Sequence, residues 1–231
     1  MRYLDVQKQL ESEISDYSDH QLLASERMLA LKFHCSRETL RKALENLRNE
    51  GKIFKNKNIG WLVNRKKINY NLQTTQSFNA YVTEQGFIPS TQIISSQITY
   101  VDTAIAQQFN SSTNDLRFIE IIRLRFINDI PVVLEYNYLP YPNFAEVLNF
   151  DLNQSLVEII ETHFALKYDT SQLWIKNSNI SELAKDLLRI PPHQSAIKIE
   201  RINKSKDQVI EFDIEIWRDD KVELQLDINS S

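Results

Sequence analysis

Residues 36–44 read SRETLRKAL: a serine, then arginines at 37 and 41 one helical turn apart, on the side away from the leucines. Leu40, Ala43, Leu44 and Leu47 follow the i, i+3, i+4, i+7 spacing of an amphipathic helix. Ser36 is a good N-cap, and Gly51 stands where a helix C-terminus needs positive φ. Upstream, a helix is expected from about Tyr3 to Tyr17, turning Leu4, Leu10, Ile14 and Tyr17 to one face. A second begins at Ser25 and points Leu29, Ala30 and Phe33 inward. The break between the second and third helices falls at His34-Cys35, where both side chains read as packing or incidental. Downstream, Ile53-Phe54 and Trp61-Leu62-Val63 flank KNKNIG, residues 55–60, which predicts a hairpin with a basic tip. Helix, helix, helix, hairpin is the order of a winged helix-turn-helix.

In that arrangement the third helix presents Arg37, Glu38, Arg41 and Lys42 opposite the leucine stripe, near its N-terminal end. This is the end that meets base edges and phosphates in a major groove. A charged helix face is often merely solvated. The charge distribution favours the DNA reading: residues 1–67 carry 14 Lys+Arg against 9 Asp+Glu, although the whole chain has a net charge of −4. A basic first part joined to an acidic remainder points to a polyanion partner for the first part alone.

The 231 residues allow one large domain or two moderate ones, and 42 % hydrophobic with 25 % charged residues is globular composition. No stretch approaches the roughly 18 apolar residues of a membrane span, and MRYLDVQKQLESEIS is not a signal peptide pattern, so a cytoplasmic protein without membrane contact is expected. One cysteine, Cys35, excludes an internal disulfide. The four histidines (His20, His34, His163, His193) lack ligand spacing, so neither metal nor cofactor is expected.

The expected boundaries are a DNA-binding domain over 1–65, a polar linker over 66–77 and a second domain over 78–231. The second reads as α+β with a mainly antiparallel sheet: a strand in QIISSQITYV, a helix from about Thr103 to Phe109, helices near 155–165 and 181–189, and antiparallel strands from about 195 to 228. Its informative stretch is FIEIIRLRFINDIPVVLEYNYL, residues 118–139. Period-2 alternation puts Ile119, Ile121, Arg123 and Arg125 on one face. A hairpin centred on Asp129 sets Arg123 across from Glu135. That pair reads either as a structural ion pair or, with Arg125 beside it, as part of an anion site needing charge from a ligand. Ser155 opens the capping box of SLVE, a role compatible with anion binding at the helix N-terminus. Glu211, Asp213, Glu215 and Trp217 alternate with Phe212, Ile214 and Ile216; the second set reads as core and the first as a solvated face.

The Ser-Glu-Arg at 25–27, Ser-Arg-x-Thr-x-Arg at 36–41, Ala-Leu at 43–44, Glu-Gly at 50–51 and Gly60 resemble the DNA-binding domain of the GntR family of bacterial transcription regulators. The resemblance implies DNA contacts by Arg27, Ser36, Arg37, Thr39, Arg41 and Lys42, with the wing, Lys57 and Gly60 included, entering the minor groove. Ala24 stands where many members have Pro, Asn58 where the wing often has Gly and Trp61 where Thr is common. Arg123, Arg125, Pro131, Glu135, the Ser-Leu-x-Glu at 155–158 and the closing Ile-Glu-Phe with Trp217-Arg218 resemble the UTRA effector domain of the HutC subfamily, a chorismate lyase-like fold. That resemblance implies effector contacts by Ser90, Thr91, Arg123, Arg125, Glu135, Ser155, Glu211 and Trp217, and it is most similar to the phosphonate-utilisation regulators. The expected function is a homodimeric repressor that binds double-stranded operator DNA and responds to a small anionic effector, phosphonate or phosphorylated. The alternatives are a lyase-like enzyme acting on a small carboxylate and a DNA-binding protein without ligand.

Overall fold

The computed structural model describes residues 2–18, 21–64, 67–74, 76–109, 117–177, 180–190 and 195–227; His20 and His193 lie outside them. The chain forms two compact units, Met1–Lys67 and Ile68–Ser231.

The first unit contains α1 (Tyr3–Ile14), α2 (Glu26–Lys32), α3 (Arg37–Asn49), β1 (Ile53–Asn56) and β2 (Gly60–Val63). The stripe read from sequence is its core: Leu40, Ala43, Leu44 and Leu47 are fully buried against Val6, Leu10, Leu29 and Ile53. Leu4, placed on the inner face of α1 by the sequence reading, is exposed. Its neighbour Val6 takes the core position instead. Helix α1 ends three residues before Tyr17, whose side chain still packs on that core. Ser25 and Ser36 cap α2 and α3 through their hydroxyls, which accept from Met28 and Thr39 N–H groups. Gly51 has φ +71°. Between α2 and α3 the chain reverses at His34, which takes φ +47° without being glycine, and Cys35 is half-buried against the core.

The second unit is built on an antiparallel six-stranded sheet, order β4-β5-β6-β9-β8-β7. Its strands are β4 (Pro89–Tyr100), β5 (Arg117–Ile127), β6 (Ile130–Pro140), β7 (Thr170–Asn177), β8 (Ala196–Ser205) and β9 (Gln208–Arg218). One face packs on α5 (Thr103–Gln108) and α7 (Glu182–Leu188), through Phe118, Phe212 and Tyr138 at one end and Leu124, Leu134 and Leu188 at the other. The opposite face meets a short 3-10 helix (Ala145–Asn149) and α6 (Leu156–His163) through Ile119, Ile121 and Leu139.

Two sequence expectations change here. Within the expected linker 66–77, residues Ile68–Asn71 form β3, which pairs in parallel with β10 (Val222–Gln225), and Ser77 caps α4 (Phe78–Glu84). Tyr70 of β3 is buried, so this polar-looking stretch belongs to the second unit's core. The C-terminal run is therefore not wholly antiparallel, since β10 joins β3 and leaves the main sheet.

The β5–β6 hairpin reaches its expected register by an unexpected route. Asn128 and Asp129, both with positive φ, make a two-residue turn that pairs Ile127 with Ile130. Continued without interruption, that turn would put Arg123 opposite residue 134 and turn it against an apolar neighbour. A one-residue bulge beside Pro131 shifts the pairing, so Arg125 meets Val133 and Arg123 meets Glu135.

Candidate functional site

In the first unit the polar face of α3, the start of α2 and the wing strand β2 enclose an open groove lined by Arg27, Arg37, Arg41, Lys55, Gly60 and Trp61, among others. Glu26 organises it. Its carboxylate accepts from Arg41 Nε at 2.8 Å, Trp61 Nε1 at 3.1 Å and Lys55 Nζ at 3.4 Å. The Arg41 hydrogen bond leads in holding the Glu26 pKa down to about 2. Trp61, one of the three departures from the family pattern, thus ties the wing to α2, with Lys55 Nζ 5.1 Å above its ring. Gly60 has φ +125°, and a Cβ there would lie 3.4 Å from Leu22. Asn58, standing where the wing often has Gly, does not take positive φ; its N–H donates to Asn56 Oδ1 at 2.9 Å, and this turn forms the wing tip.

Of the sequence-predicted DNA contacts, Arg27, Arg37, Arg41 and Gly60 share this groove. Ser36 and Thr39 sit at the α3 cap, their hydroxyls 2.8 Å apart. Lys42 is exposed and 3.6 Å from Glu38, and Lys57 is exposed at the wing tip. The arrangement is a row of solvated cations around a helix N-terminus, able to exchange their present partners for phosphates.

In the second unit the part of the sheet face that carries Arg123 and Glu135 forms the floor of a cavity of about 90 Å³. Across β5, β6, β9 and β8 the registers place Arg123, Glu135 and Glu215 in one row, and Asn137, Asp213 and Arg201 in the next. Helix α4 and Tyr70 wall one side, and the start of α6 with Ser155 closes another. Both arginines converge on one oxygen: Arg123 Nη2 and Arg125 Nε each lie 3.0 Å from Glu135 Oε2. Those are ion-pair distances, but neither N–H points along the line, so Glu135 Oε2 and both Nε groups lack a hydrogen bond. Arg123 Nη1 donates to the carbonyls of Leu152 and Gln154 and so holds the loop before α6; Arg125 Nη1 donates to Thr91 Oγ1 at 3.0 Å.

The acidic row of β9, expected as a solvated face, is buried: Glu211 is 3 %, Asp213 5 % and Glu215 7 % exposed. The reason is tertiary, since α4, α6 and Tyr70 cover the face that alternation alone would leave to water. Glu211 accepts from Asn137, Tyr168 and Asn203. Glu215 accepts from Trp217 Nε1 at 2.6 Å and Tyr70 at 3.1 Å, and Arg201 donates to the Tyr70 oxygen. Burial is the largest influence on each pKa. It pulls Arg123 down to about 10, assisted by Arg125, which leaves the guanidinium charged at neutral pH. It would raise Glu135, but Arg125 and Arg123 outweigh it and the net shift is downward. It raises Glu211, and raises Asp213 well above the carboxylate range, with Glu215 and Glu211 adding to the shift.

Arg123, Arg125, Glu135, Ser155, Glu211 and Trp217, all named from sequence, line this one cavity. Thr91 touches it only through Arg125, and Ser90, paired with Phe126 and exposed, faces away. The sequence reading missed Tyr70, Asn137, Tyr168, Arg201, Asn203, Asp213 and Glu215. Asn137 had a signal, being two residues beyond Glu135 on the same strand. Asp213 and Glu215 had one in an acidic alternation on a strand hydrogen-bonded on both sides.

The family profile described as "UTRA domain" matches residues 84–223, and "Bacterial regulatory proteins, gntR family" matches residues 2–63. The chain is 26 % identical to the HTH-type transcriptional repressor NagR of Bacillus subtilis over 201 residues, 86 % of this chain and 82 % of that one. It is 22 % identical to the probable transcriptional regulator PhnF of Escherichia coli, over 98 % and 95 % of the two chains. The fold matches the crystal structure of PhnF from Mycobacterium smegmatis with a TM-score of 0.69 at 20 % identity, covering 98 % of this chain and all of that one. With a UTRA domain across more than half its length behind a GntR-type winged helix, the chain belongs to the GntR family of bacterial transcription regulators, in its HutC-type branch.

Proposed function

We propose that the protein is an operator-binding repressor whose DNA affinity is set by a small effector held through an anionic group in the cavity of the second unit. The winged helix of residues 1–65 reads the operator as one half of a homodimer, with Arg27, Arg37, Thr39 and Arg41 in the major groove and the wing at the minor groove. The unit of residues 68–231 takes the effector and provides the dimer contact.

One observation carries the effector reading. Arg123 and Arg125 are 3 % and 4 % exposed, share a single carboxylate oxygen, and each keep an Nε without a hydrogen bond. Beside them α6 begins at Ser155, whose hydroxyl caps Glu158 N–H, while the N–H groups of Leu156 and Val157 are those a helix leaves unsatisfied. A bound oxyanion satisfies both sets. By linkage, an effector that prefers the non-binding arrangement lowers operator affinity by its differential affinity for the two states.

Fluorescence anisotropy on DNA from the protein's own upstream region tests this. Tight binding that weakens with salt by about 0.9 in log–log slope per phosphate contacted, and that an anionic metabolite weakens further, is the expected result. Binding indifferent to salt and to a panel of phosphates, phosphonates and carboxylates overturns it.

A further inference from the structure

The Nε groups of Arg123 and Arg125 on β5 lack a hydrogen bond, as does Glu135 Oε2 beside them. Farther across the floor Arg201 Nε on β8 lacks one, and so do two neighbouring acceptors, Oδ1 of Asp213 on β9 and Oδ1 of Asn137 opposite it on β6. Arg123, Arg125, Asp213 and Asn137 are buried. A buried polar group left unmade is costly, and the Asp213–Asn137 pair offers two acceptors to one ligand donor. Charge adds to this. Arg123, Arg125 and Arg201 face the carboxyls of Glu135, Glu211, Asp213 and Glu215. With Asp213 protonated, three guanidiniums face at most three carboxylates, so a bare anion adds an uncompensated charge to a low-dielectric site, whereas a cation at its far end offsets it.

Size narrows the class. A cavity of about 90 Å³ favours a compact ligand. Arg123 on β5 and Asp213 on β9 stand two strand spacings apart, about 10 Å between backbones, with their side chains converging.

We infer that the effector is a small amphoteric molecule, an oxyanion held by Arg123, Arg125 and the first turn of α6, joined through two or three atoms to a primary ammonium that donates to Asp213 and Asn137. This rests on the oxyanion reading proposed above and adds the second end. Asp213 faces Arg201 of β8, Glu215 and Glu211 of its own strand and Glu135 of β6; Asn203 Nδ2 is its hydrogen-bond donor at 3.1 Å. Burial and the neighbouring carboxylates favour a protonated Asp213. An arriving ammonium favours the carboxylate, so binding releases a proton.

The test is isothermal titration of the full chain with O-phosphoethanolamine and with ethyl phosphate, which differ only in the amine. The aminated probe is expected to bind at least about tenfold tighter, the value of one charge-assisted hydrogen bond to a buried carboxylate. It is also expected to release protons, seen as a dependence of the heat on buffer ionisation enthalpy. In Asp213→Asn, checked for folding by a circular dichroism melt, that advantage is expected to shrink to about threefold or less. Equal affinity of the two probes for the unsubstituted chain overturns the amphoteric assignment and leaves the oxyanion reading standing. An amine advantage that survives in Asp213→Asn overturns the placement of the ammonium. Failure of both probes and of inorganic phosphate to bind at millimolar concentration overturns the oxyanion reading, and this inference with it.

Discussion

Two Arg–Glu pairs of similar length do opposite things in the two units. Arg41 Nε lies 2.8 Å from Glu26 with its side chain 66 % exposed; Arg123 Nη2 lies 3.0 Å from Glu135 with its side chain 4 % exposed. In water such a pair gains little over its separated, hydrated ions, so Arg41 can leave Glu26 for a phosphate at small cost. Away from water neither partner can be dropped without stranding the other, so Arg123 and Glu135 act as fixed framework, and a ligand must fit between charges already committed. Solvent, more than chemistry, separates an exchangeable contact from a preorganised one.

Glu135→Gln is the strongest challenge to that contrast, because it removes the one carboxylate that both buried guanidiniums touch. We expect a loss of about 3–5 kcal/mol in the stability of the second unit, a fall of order 10 °C in Tm. Glu26→Gln, the matching change in the first unit, is expected to move Tm by no more than about 3 °C. Thermal melts of both variants decide it, and equal drops break the comparison. Next in size, Arg37→Ala combined with Arg41→Ala is expected to weaken operator binding about 100-fold and to lower the salt slope by about 1.8, with Tm little changed. Anisotropy across a salt series measures both. A large Tm loss in that double variant would mean these arginines hold the fold.

The same contrast explains what could be read without a structure. On α3, period 3.6 separates Leu40, Ala43, Leu44 and Leu47 from Arg37 and Arg41, and one surface is wet, so the functional face is the polar one. On a sheet buried on both faces that inference inverts. The Glu211, Asp213, Glu215 alternation looks like a wet face, yet α4, α6 and Tyr70 close over it, and those partners lie from about 50 to 140 residues away in the chain. Arg123 and Glu135 were legible because strand partners in a hairpin are local. Even there the register depended on a bulge beside Pro131 that alternation does not encode. Tyr70 was hidden in a stretch with no apolar period, because β3 has one strand neighbour and that neighbour is β10, at the far end of the unit.

Asp213→Asn sharpens the comparison from the side of pH. A carboxyl whose folded pKa is raised binds more protons folded than unfolded, so its contribution is full below the unfolded pKa and is lost as pH rises toward the folded one. Asn removes that loss. The variant is therefore expected to melt like the unsubstituted chain near pH 4 and above it at pH 8, by about 2–4 °C for each kcal/mol recovered. Glu135, with its folded pKa lowered, works in the opposite direction and weakens the fold as pH falls. A variant that tracks the unsubstituted chain across the range would place Asp213 in contact with water.

The smallest effect comes from the groove's own scaffold. Trp61→Phe keeps the ring buried under Lys55 and removes only the Nε1 hydrogen bond to Glu26. Glu26 keeps Arg41 and Lys55, so it stays ionised at neutral pH, but the wing loses its tie to α2. One hydrogen bond to a charged acceptor is worth about 1.5 kcal/mol at most in such a half-wet site, and only part of it reaches DNA affinity through wing position. Operator binding is expected to weaken about two- to fivefold with the salt slope unchanged, because no phosphate contact is removed. A changed slope would mean that Trp61 also sets how many cations meet the backbone, and that the groove is less free to rearrange than its exposed ion pairs imply.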